Sequence, residues 1–410
     1  MQEFNRLLRF VIAVCASLLM ATSLSAQSFS PRLTTPRLAP LPVEGRTDAQ
    51  KQMLASRADY NIYKTLANHV ELYNRWSPLG QYLLNGSGLP ARDREIAMLR
   101  MGWLCQSPYE WSQHARIAQG AEAGLTAADV HRIAEGADAK GWGDFDRTLI
   151  RMVDELRYDT KISDATWKAL STKYSPQQII DVMYTASQYQ LVSMALNSLG
   201  VQLDPILKDF IPTDVPQPKL ASMPTSPRLA TPRVKPLVLN EMTAEQRELV
   251  KPQMRDGVVP NLYATLAVHT KFYTPRRTFG SYVQRDSSLP PKSRELLIMR
   301  TAWNIRSEYE WAHHVSYSKD AGLTDAEIAR IAKGPQAAGW SEEHAALLSA
   351  ADELRREAFI SDATWAKLSK TYPPKQMVEI IYTVGGYTMT GLAINSLGIQ
   401  VEPGNPKFPK

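Results

Sequence analysis

The feature that most limits the fold of this 410-residue chain is an internal duplication. The stretch NIYKTLANH at 61–69 returns as NLYATLAVH at 261–269, and ISDATW at 162–167 returns unchanged at 360–365. The offset is 200 residues for the first pair and 198 for the second. Because this period is far longer than the unit of a solenoid, each copy is predicted to be a complete domain.

Prolines are concentrated between the two copies, in the segment 204–239. Such a composition predicts a semi-extended linker without a core of its own. Domain 1 is therefore predicted at 45–203 and domain 2 at 240–401. An extended N-terminal segment at 27–44 and a C-terminal tail at 402–410 complete the chain.

The apolar residues within each copy have helical spacing. They recur at intervals of three to four residues in Arg92–Leu104 and Pro108–Ala123, and no segment alternates in the manner of a half-buried strand. Thr126, Ser163 and Ser175 stand where N-caps of the following helices are expected. The sequence predicts two tandem all-α domains.

The N-terminus has the layout of a secretory signal peptide. Arg6 and Arg9 precede an apolar run, Phe10–Leu24, and cleavage is predicted after Ala26. The run is shorter than the roughly 20 residues of a membrane-spanning helix, although an uncleaved anchor is the alternative. Residues 1–26 are predicted to be removed, leaving a secreted or periplasmic protein with no membrane association.

Charge and cysteine content exclude several classes of function. The net charge of +6 is spread along the chain without a basic block, which argues against nucleic-acid binding. Cys15 would leave with the signal peptide, so Cys105 has no partner for an intrachain disulfide. The sequence has no CxxC motif, no glycine-rich phosphate loop and no GxSxG motif.

Acidic residues and histidines that occur at equivalent places in both copies are the candidate catalytic residues. Glu110 and His114 are four residues apart on one predicted helix, so their side chains share a face. Glu95 lies on the preceding helix, which a short turn would return to the same pocket. A carboxylate beside an imidazole in a dry pocket is suited to proton transfer. The complete set is Glu95, Glu110, His114, Glu295, Glu310 and His314.

Neighbouring residues are candidates for contacts with a substrate. Ser107 extends the face of Glu110, a tryptophan follows Glu110, and Arg94 is placed to bind a substrate carboxylate or to pair with a nearby acid. The predicted substrate-binding residues are Ser107, Trp111, Arg94, Ser307, Trp311 and Arg294.

Other interpretations of these residues are less specific. A Glu and a His at this spacing are also common as solvated neighbours on a helix. Di-iron bundles use Glu-x-x-His rather than Glu-x-x-x-His, so no metal is predicted. His69 and His269 end a helical turn in both copies and are predicted to be structural.

Three motifs resemble the carboxymuconolactone decarboxylase family, which includes the alkylhydroperoxidase AhpD-like proteins. They are REIAMLR at 94–100, YEWSQH at 109–114 and AGLT at 123–126, and the second copy has RELLIMR at 294–300 and YEWAHH at 309–314. The resemblance covers about 45–203 and 240–401. It implies an AhpD-like helical fold in each copy.

The resemblance also carries chemical expectations. The peroxidase branch of the family uses two cysteines, whose positions are occupied here by Ser107 and Glu110, and by Ser307 and Glu310. Turnover through an intramolecular disulfide is therefore excluded. The decarboxylase branch needs no cofactor, which implies a lyase acting on a small cyclic or unsaturated carboxylic acid or lactone. His114 and His314 would then supply the proton, with the glutamates tuning or sharing it.

Two alternatives remain open from the sequence. The first is a thiol-dependent peroxidase that uses Cys105 with an external partner, and the second is a non-catalytic binding protein of the cell envelope. Relatives usually assemble as trimers or hexamers of single domains. The resemblance thus implies a homo-oligomer, in which three tandem chains would form a ring of six domains.

Overall fold

The computed structural model describes residues 32–409, except 56, 58, 208–210 and 227. These residues form α-helices joined by turns and extended segments, and no β-strand is found among them. The prediction of two tandem all-α domains is confirmed. The predicted signal peptide, 1–26, lies outside the described residues.

Domain 1 is built from the helices α1 to α9. A short 3₁₀ helix, Ala67–His69, separates α2 from α3, and a π-helical turn, Tyr82–Gly86, follows α3. The helices are α1 (Asp48–Ala55), α2 (Asn61–Leu66), α3 (Val70–Gln81), α4 (Ala91–Leu104), α5 (Pro108–Ala118), α6 (Ala127–Glu135), α7 (Asp144–Tyr158), α8 (Asp164–Leu170) and α9 (Pro176–Leu199).

Domain 2 repeats this order, including the π-helical turn, here Tyr282–Asp286. Its helices are α10 (Ala244–Val250), α11 (Asn261–Leu266), α12 (Thr270–Ser281), α13 (Pro291–Asn304), α14 (Glu308–Asp320), α15 (Asp325–Lys333), α16 (Glu342–Glu357), α17 (Asp362–Leu368) and α18 (Pro374–Leu397).

Side-chain caps begin several of these helices at the residues that the sequence indicates. The side chains of Thr126, Ser163 and Ser175 each accept a hydrogen bond from the backbone N–H three residues later. Each cap satisfies a donor that the first helical turn would otherwise leave unpaired. The three predicted caps therefore begin α6, α8 and α9.

The two longest helices, α9 and α18, form the centre of the molecule and pack against each other. Their approach is so close that a Cβ atom on Gly385 would lie 2.6 Å from Leu191 Cγ. By length and composition α18 would suffice to cross a membrane, but 94% of its apolar window is buried inside the protein. Here it is a core helix that joins the two domains into one hydrophobic interior.

The extended segment before each domain contacts the other domain. Arg37, which precedes domain 1, forms an ion pair with Asp362 of α17 at 2.5 Å. Arg233, at the end of the linker, forms the equivalent pair with Asp164 of α8 at 2.5 Å. Each guanidinium group also stacks on a tryptophan of the same domain as its carboxylate partner. Each segment thus binds the domain that it does not precede, and the two sets of contacts hold the domains together.

His69 and His269 lie in two buried clusters where the domains meet. His69 Nε2 is 3.1 Å from Glu379 Oε1, and the Tyr282 hydroxyl donates to the same oxygen at 2.5 Å. His269 Nε2 is 2.9 Å from Asp181 Oδ1 in the corresponding cluster. These contacts connect the two domains, away from either cavity described below.

Gly398 provides a test of how the extended segment before domain 2 packs against α18. It ends α18 with φ +69°, and a Cβ atom there would lie 2.5 Å from Thr231 O. Gly398→Ala is expected to lower the free energy of unfolding by about 1–3 kcal/mol, because it combines backbone strain with a steric clash. Denaturant unfolding measures this change.

The control is Gly88→Ala, since a Cβ atom at Gly88 would have no neighbour within 4 Å. An equal effect of the two substitutions would contradict the described packing of the linker on α18.

Candidate active site

A tight turn in each domain brings the candidate catalytic residues together. In domain 1 the helix α4 ends at Leu104, and Gln106 takes the left-handed conformation with φ +50° before Pro108 begins α5. In domain 2 the same turn is made by Arg306, with φ +57°. The second helix of each pair therefore returns beside the first, so that Glu95 and Glu295 reach the histidine of the following helix.

In domain 1 the histidine lies between two carboxylates. His114 Nδ1 is 2.7 Å from Glu95 Oε2, and His114 Nε2 is 3.2 Å from Glu110 Oε1. All three side chains are buried. The edge of the imidazole also meets the Tyr189 ring, with centroids 4.7 Å apart. The predicted Glu–His constellation is thus assembled inside the protein.

In domain 2 only one of the two carboxylates contacts the histidine. His314 Nδ1 is 2.8 Å from Glu295 Oε2, which reproduces the first contact. Glu310, although buried, forms no ion pair with His314, and neither of its carboxylate oxygens has a hydrogen-bond partner in the described part of the chain. The two sites therefore differ in the position of this one side chain.

A serine-to-glycine difference between the copies accounts for this change. Gly391 of α18 occupies the position of Ser193 in α9. A Cβ atom on Gly391 would lie 2.6 Å from Glu310 Oε2, so the carboxylate occupies space that a serine side chain would fill. Glu310 can turn away from the histidine because the glycine leaves this room, whereas Glu110 remains against His114.

The two arrangements have opposite electrostatic consequences. Burial alone would lower the pKa of His114, but the carboxylates of Glu95 and Glu110 outweigh it and raise the pKa to about 10. Burial raises the pKa of Glu310 well above its usual range, although the nearby Ser307 hydroxyl and the charge of Arg276 act in the opposite direction. The site of domain 1 therefore favours the protonated form of its histidine, whereas the site of domain 2 favours the neutral form of Glu310.

Each histidine opens onto a cavity. The volume is about 130 Å³ in domain 1 and about 230 Å³ in domain 2. Glu110 and His114 line the first, whereas Glu95 lies behind the imidazole. Both cavities have tyrosine walls, formed by Tyr60, Tyr63, Tyr109 and Tyr189 in domain 1 and by Tyr263, Tyr309, Tyr317 and Tyr387 in domain 2.

The predicted substrate-binding residues do not line these cavities. The side chains of Ser107 and Ser307 are fully buried at the start of α5 and α14, and Trp111 packs on Trp103 in the core with ring centroids 5.3 Å apart. Trp311 makes the equivalent contact with Trp303. Tyrosines, rather than these two tryptophans, line the cavities.

The two arginines predicted to bind a carboxylate are also outside the cavities. Arg94 donates to Leu89 O at 3.4 Å, and Arg294 donates to Leu289 O at the same distance. Each thus holds the turn that precedes its own helix. Arg276, which is not among the site residues predicted from the sequence, lines the cavity of domain 2.

Neither a metal cluster nor a reactive thiol is evident in the described part of the chain. No group of three His, Cys, Asp or Glu residues there is arranged to hold a metal ion. Cys105 is fully buried, and this burial raises the pKa of its thiol. A thiol without access to solvent and with a raised pKa is a poor nucleophile.

Comparison with known sequences assigns the family. The sequence profile of the carboxymuconolactone decarboxylase family matches the chain twice, at 71–150 and 271–353. The chain belongs to this family. Each match includes the two helices that carry the Glu–His pair, so this carboxymuconolactone decarboxylase relative has one copy of the site in each domain. A search of curated proteins found no significant match.

The raised pKa of His114 predicts a pH dependence of stability. Since its pKa is about 10 in the folded protein against an ordinary 6.5, the stabilisation from its protonation is complete below about pH 6.5. It is lost as the pH rises through about 10. In Glu110→Gln, which removes one of the two carboxylates, this loss is expected at lower pH.

Denaturant unfolding between pH 6 and pH 10.5 measures this pH dependence of stability. A shift of one pKa unit corresponds to ~1.4 kcal/mol in the free energy of unfolding. Glu122→Gln, at an exposed position, is the matched control. Identical pH profiles for the two variants would show that Glu110 does not stabilise a charged His114.

Proposed function

We propose that this protein is a cofactor-independent lyase that decarboxylates a small cyclic or unsaturated carboxylic acid or lactone. The observation that carries the proposal is the buried pair of a glutamate and a histidine at the wall of a cavity, present in both domains. Membership of the carboxymuconolactone decarboxylase family supports the same class of reaction.

The histidine is held in the orientation that such chemistry needs. The carboxylate of Glu95 or Glu295 binds Nδ1, which fixes the ring and directs Nε2 of His114 or His314 toward the cavity side. The carboxylate also stabilises the positive charge of a protonated imidazole. The two glutamates are therefore positioning residues that act through the histidine.

The reaction then needs only one proton from the protein. The bond between the substrate carbon and its carboxylate breaks, the electron pair moves through the conjugated system into the carbonyl group, and carbon dioxide leaves. The resulting enolate regains a proton at carbon from the protonated imidazole of His114 or His314, and the glutamates tune or share this proton. Tyrosine walls keep water away from this carbanion-like state.

The location and assembly of the protein belong to the same proposal. The charged and apolar N-terminal sequence supports export with cleavage after Ala26, and the family supports a homo-oligomer of tandem chains. Neither a thiol mechanism nor a purely structural role is favoured, since Cys105 is buried and each Glu–His pair lies at a cavity.

Substitution of the histidines tests the proposal. His114→Gln and His314→Gln remove the proton donor from one cavity each, and the double variant removes it from both. Release of carbon dioxide from carboxymuconolactone and related unsaturated acids is the measurement. The double variant is expected to lose roughly 10²–10⁴-fold in rate, the usual contribution of general acid–base catalysis.

His131→Gln is the control, because His131 lies on the surface of α6 and pairs with Asp214 outside both cavities. Equal activity of the double variant and the wild-type protein would remove the histidines from the mechanism.

A further inference from the structure

The walls of the two cavities differ at positions that the duplication makes equivalent. Between Asn61 and Pro90 the offset is 200 residues, so that Trp76 corresponds to Arg276. On the long helices the offset is 198, so that Gln188 corresponds to Gly386. All four residues line their cavities. A tryptophan and a glutamine thus fill space in domain 1 that an arginine and a glycine leave open in domain 2.

Arg276 is a buried cation without an anionic partner. Only 6% of the residue is exposed, and its Nη2 donates to Thr390 Oγ1 at 3.1 Å. It forms no ion pair with a carboxylate of the described residues, although its charge opposes the rise in the pKa of Glu310. A guanidinium group keeps its charge at all physiological pH values, and burying it without a counter-charge is costly. Its position on a cavity wall therefore indicates that the counter-charge is a ligand.

The other charges around this cavity favour an anion as well. Arg277 and Arg285 line it, whereas serine and asparagine occupy the corresponding positions in domain 1. Of the two glutamates on the wall, Glu402 is already paired with His313 at 2.7 Å. The other, Glu310, has a pKa that burial raises, which favours its neutral form and reduces its repulsion of an anion. Four arginines line this cavity, Arg255, Arg276, Arg277 and Arg285, against one unpaired glutamate.

The cavity of domain 1 lacks these features. No arginine or lysine is among the residues that line it, and Glu110 and His114 are already paired with each other. Arg57 stacks on the rings of Tyr63 and Tyr73 but is not part of the wall. Apart from His114, which is already paired with Glu110, no residue that lines this cavity offers an anionic ligand a positive charge.

We propose that the cavity of domain 2 anchors a small carboxylate through Arg276, an anchor that the cavity of domain 1 lacks, so that domain 2 holds the tighter of the two sites. This inference rests on the proposed function, because it names the substrate class of one of the two Glu–His sites. His314 lines the same cavity as Arg276, so a planar acid anchored by its carboxylate lies beside the proton donor. Charge-assisted hydrogen bonds to the guanidinium group would fix its orientation.

Titration calorimetry with benzoate tests the inference, and benzamide serves as the uncharged probe of similar shape. The wild-type protein is expected to bind one benzoate per chain more tightly than any second, and to prefer it to benzamide. Arg276→Gln is expected to weaken benzoate binding roughly tenfold or more, the usual effect of losing a charged hydrogen-bond partner. Arg276→Lys, which keeps the charge, is expected to retain the preference for benzoate.

The control is Arg151→Gln, which removes the same charge from an exposed position in domain 1. Circular dichroism verifies that each variant is folded. The inference is overturned by two equal sites per chain, by unchanged affinity in Arg276→Gln, or by the absence of any preference for benzoate. Because binding is measured without turnover, this result is independent of whether the histidine variants lose activity.

Discussion

The close packing of α9 against α18 is the constraint on which the rest of the structure depends. The contact between Leu191 and Gly385 sets the distance between the two domains. The same helices carry Asp181 and Glu379, which bind the interdomain histidines, and Tyr189 and Tyr387, which meet the catalytic imidazoles edge-on. The site in each domain is thus built on a helix whose position is fixed by its counterpart.

Duplication has preserved the framework of the site while changing its charge. In both domains a glutamate binds Nδ1 of the histidine, and tyrosines form the wall. Replacement of Ser193 by Gly391 frees the second glutamate from the histidine, and replacement of Trp76 by Arg276 introduces a cation. In a tandem chain the two domains have separate sequences, so each can change without the other. The subunits of a homodimer share one sequence and must change together.

Much of the fold follows from local signals in the sequence. The helices and their caps are predictable because helical periodicity and cap residues act within a few positions of each other. The pairing of Glu95 with His114 is predictable because both residues recur in both copies and a short turn joins their helices. The location of domain boundaries in a proline-rich segment stays a prediction of the same kind.

Which side of each helix faces the cavity is harder to predict from the sequence. Trp111 is adjacent to Glu110, and only tertiary packing directs it onto Trp103 in the core. Tyr189 and Tyr387 are predictable from the sequence in principle, because they occupy equivalent positions in the two long helices. Arg276 is not predictable in this way, because a comparison that keeps residues shared by the copies discards the positions at which the copies differ.

The protonation state of Glu310 is the most direct test of the account, because the difference between the two sites depends on it. Infrared difference spectroscopy at pH 7 compares the wild-type protein with Glu310→Gln and, as the matched control, Glu110→Gln. The account predicts that the carbonyl band of a protonated carboxylic acid disappears in Glu310→Gln and persists in Glu110→Gln. The absence of such a band from the wild-type protein would contradict it.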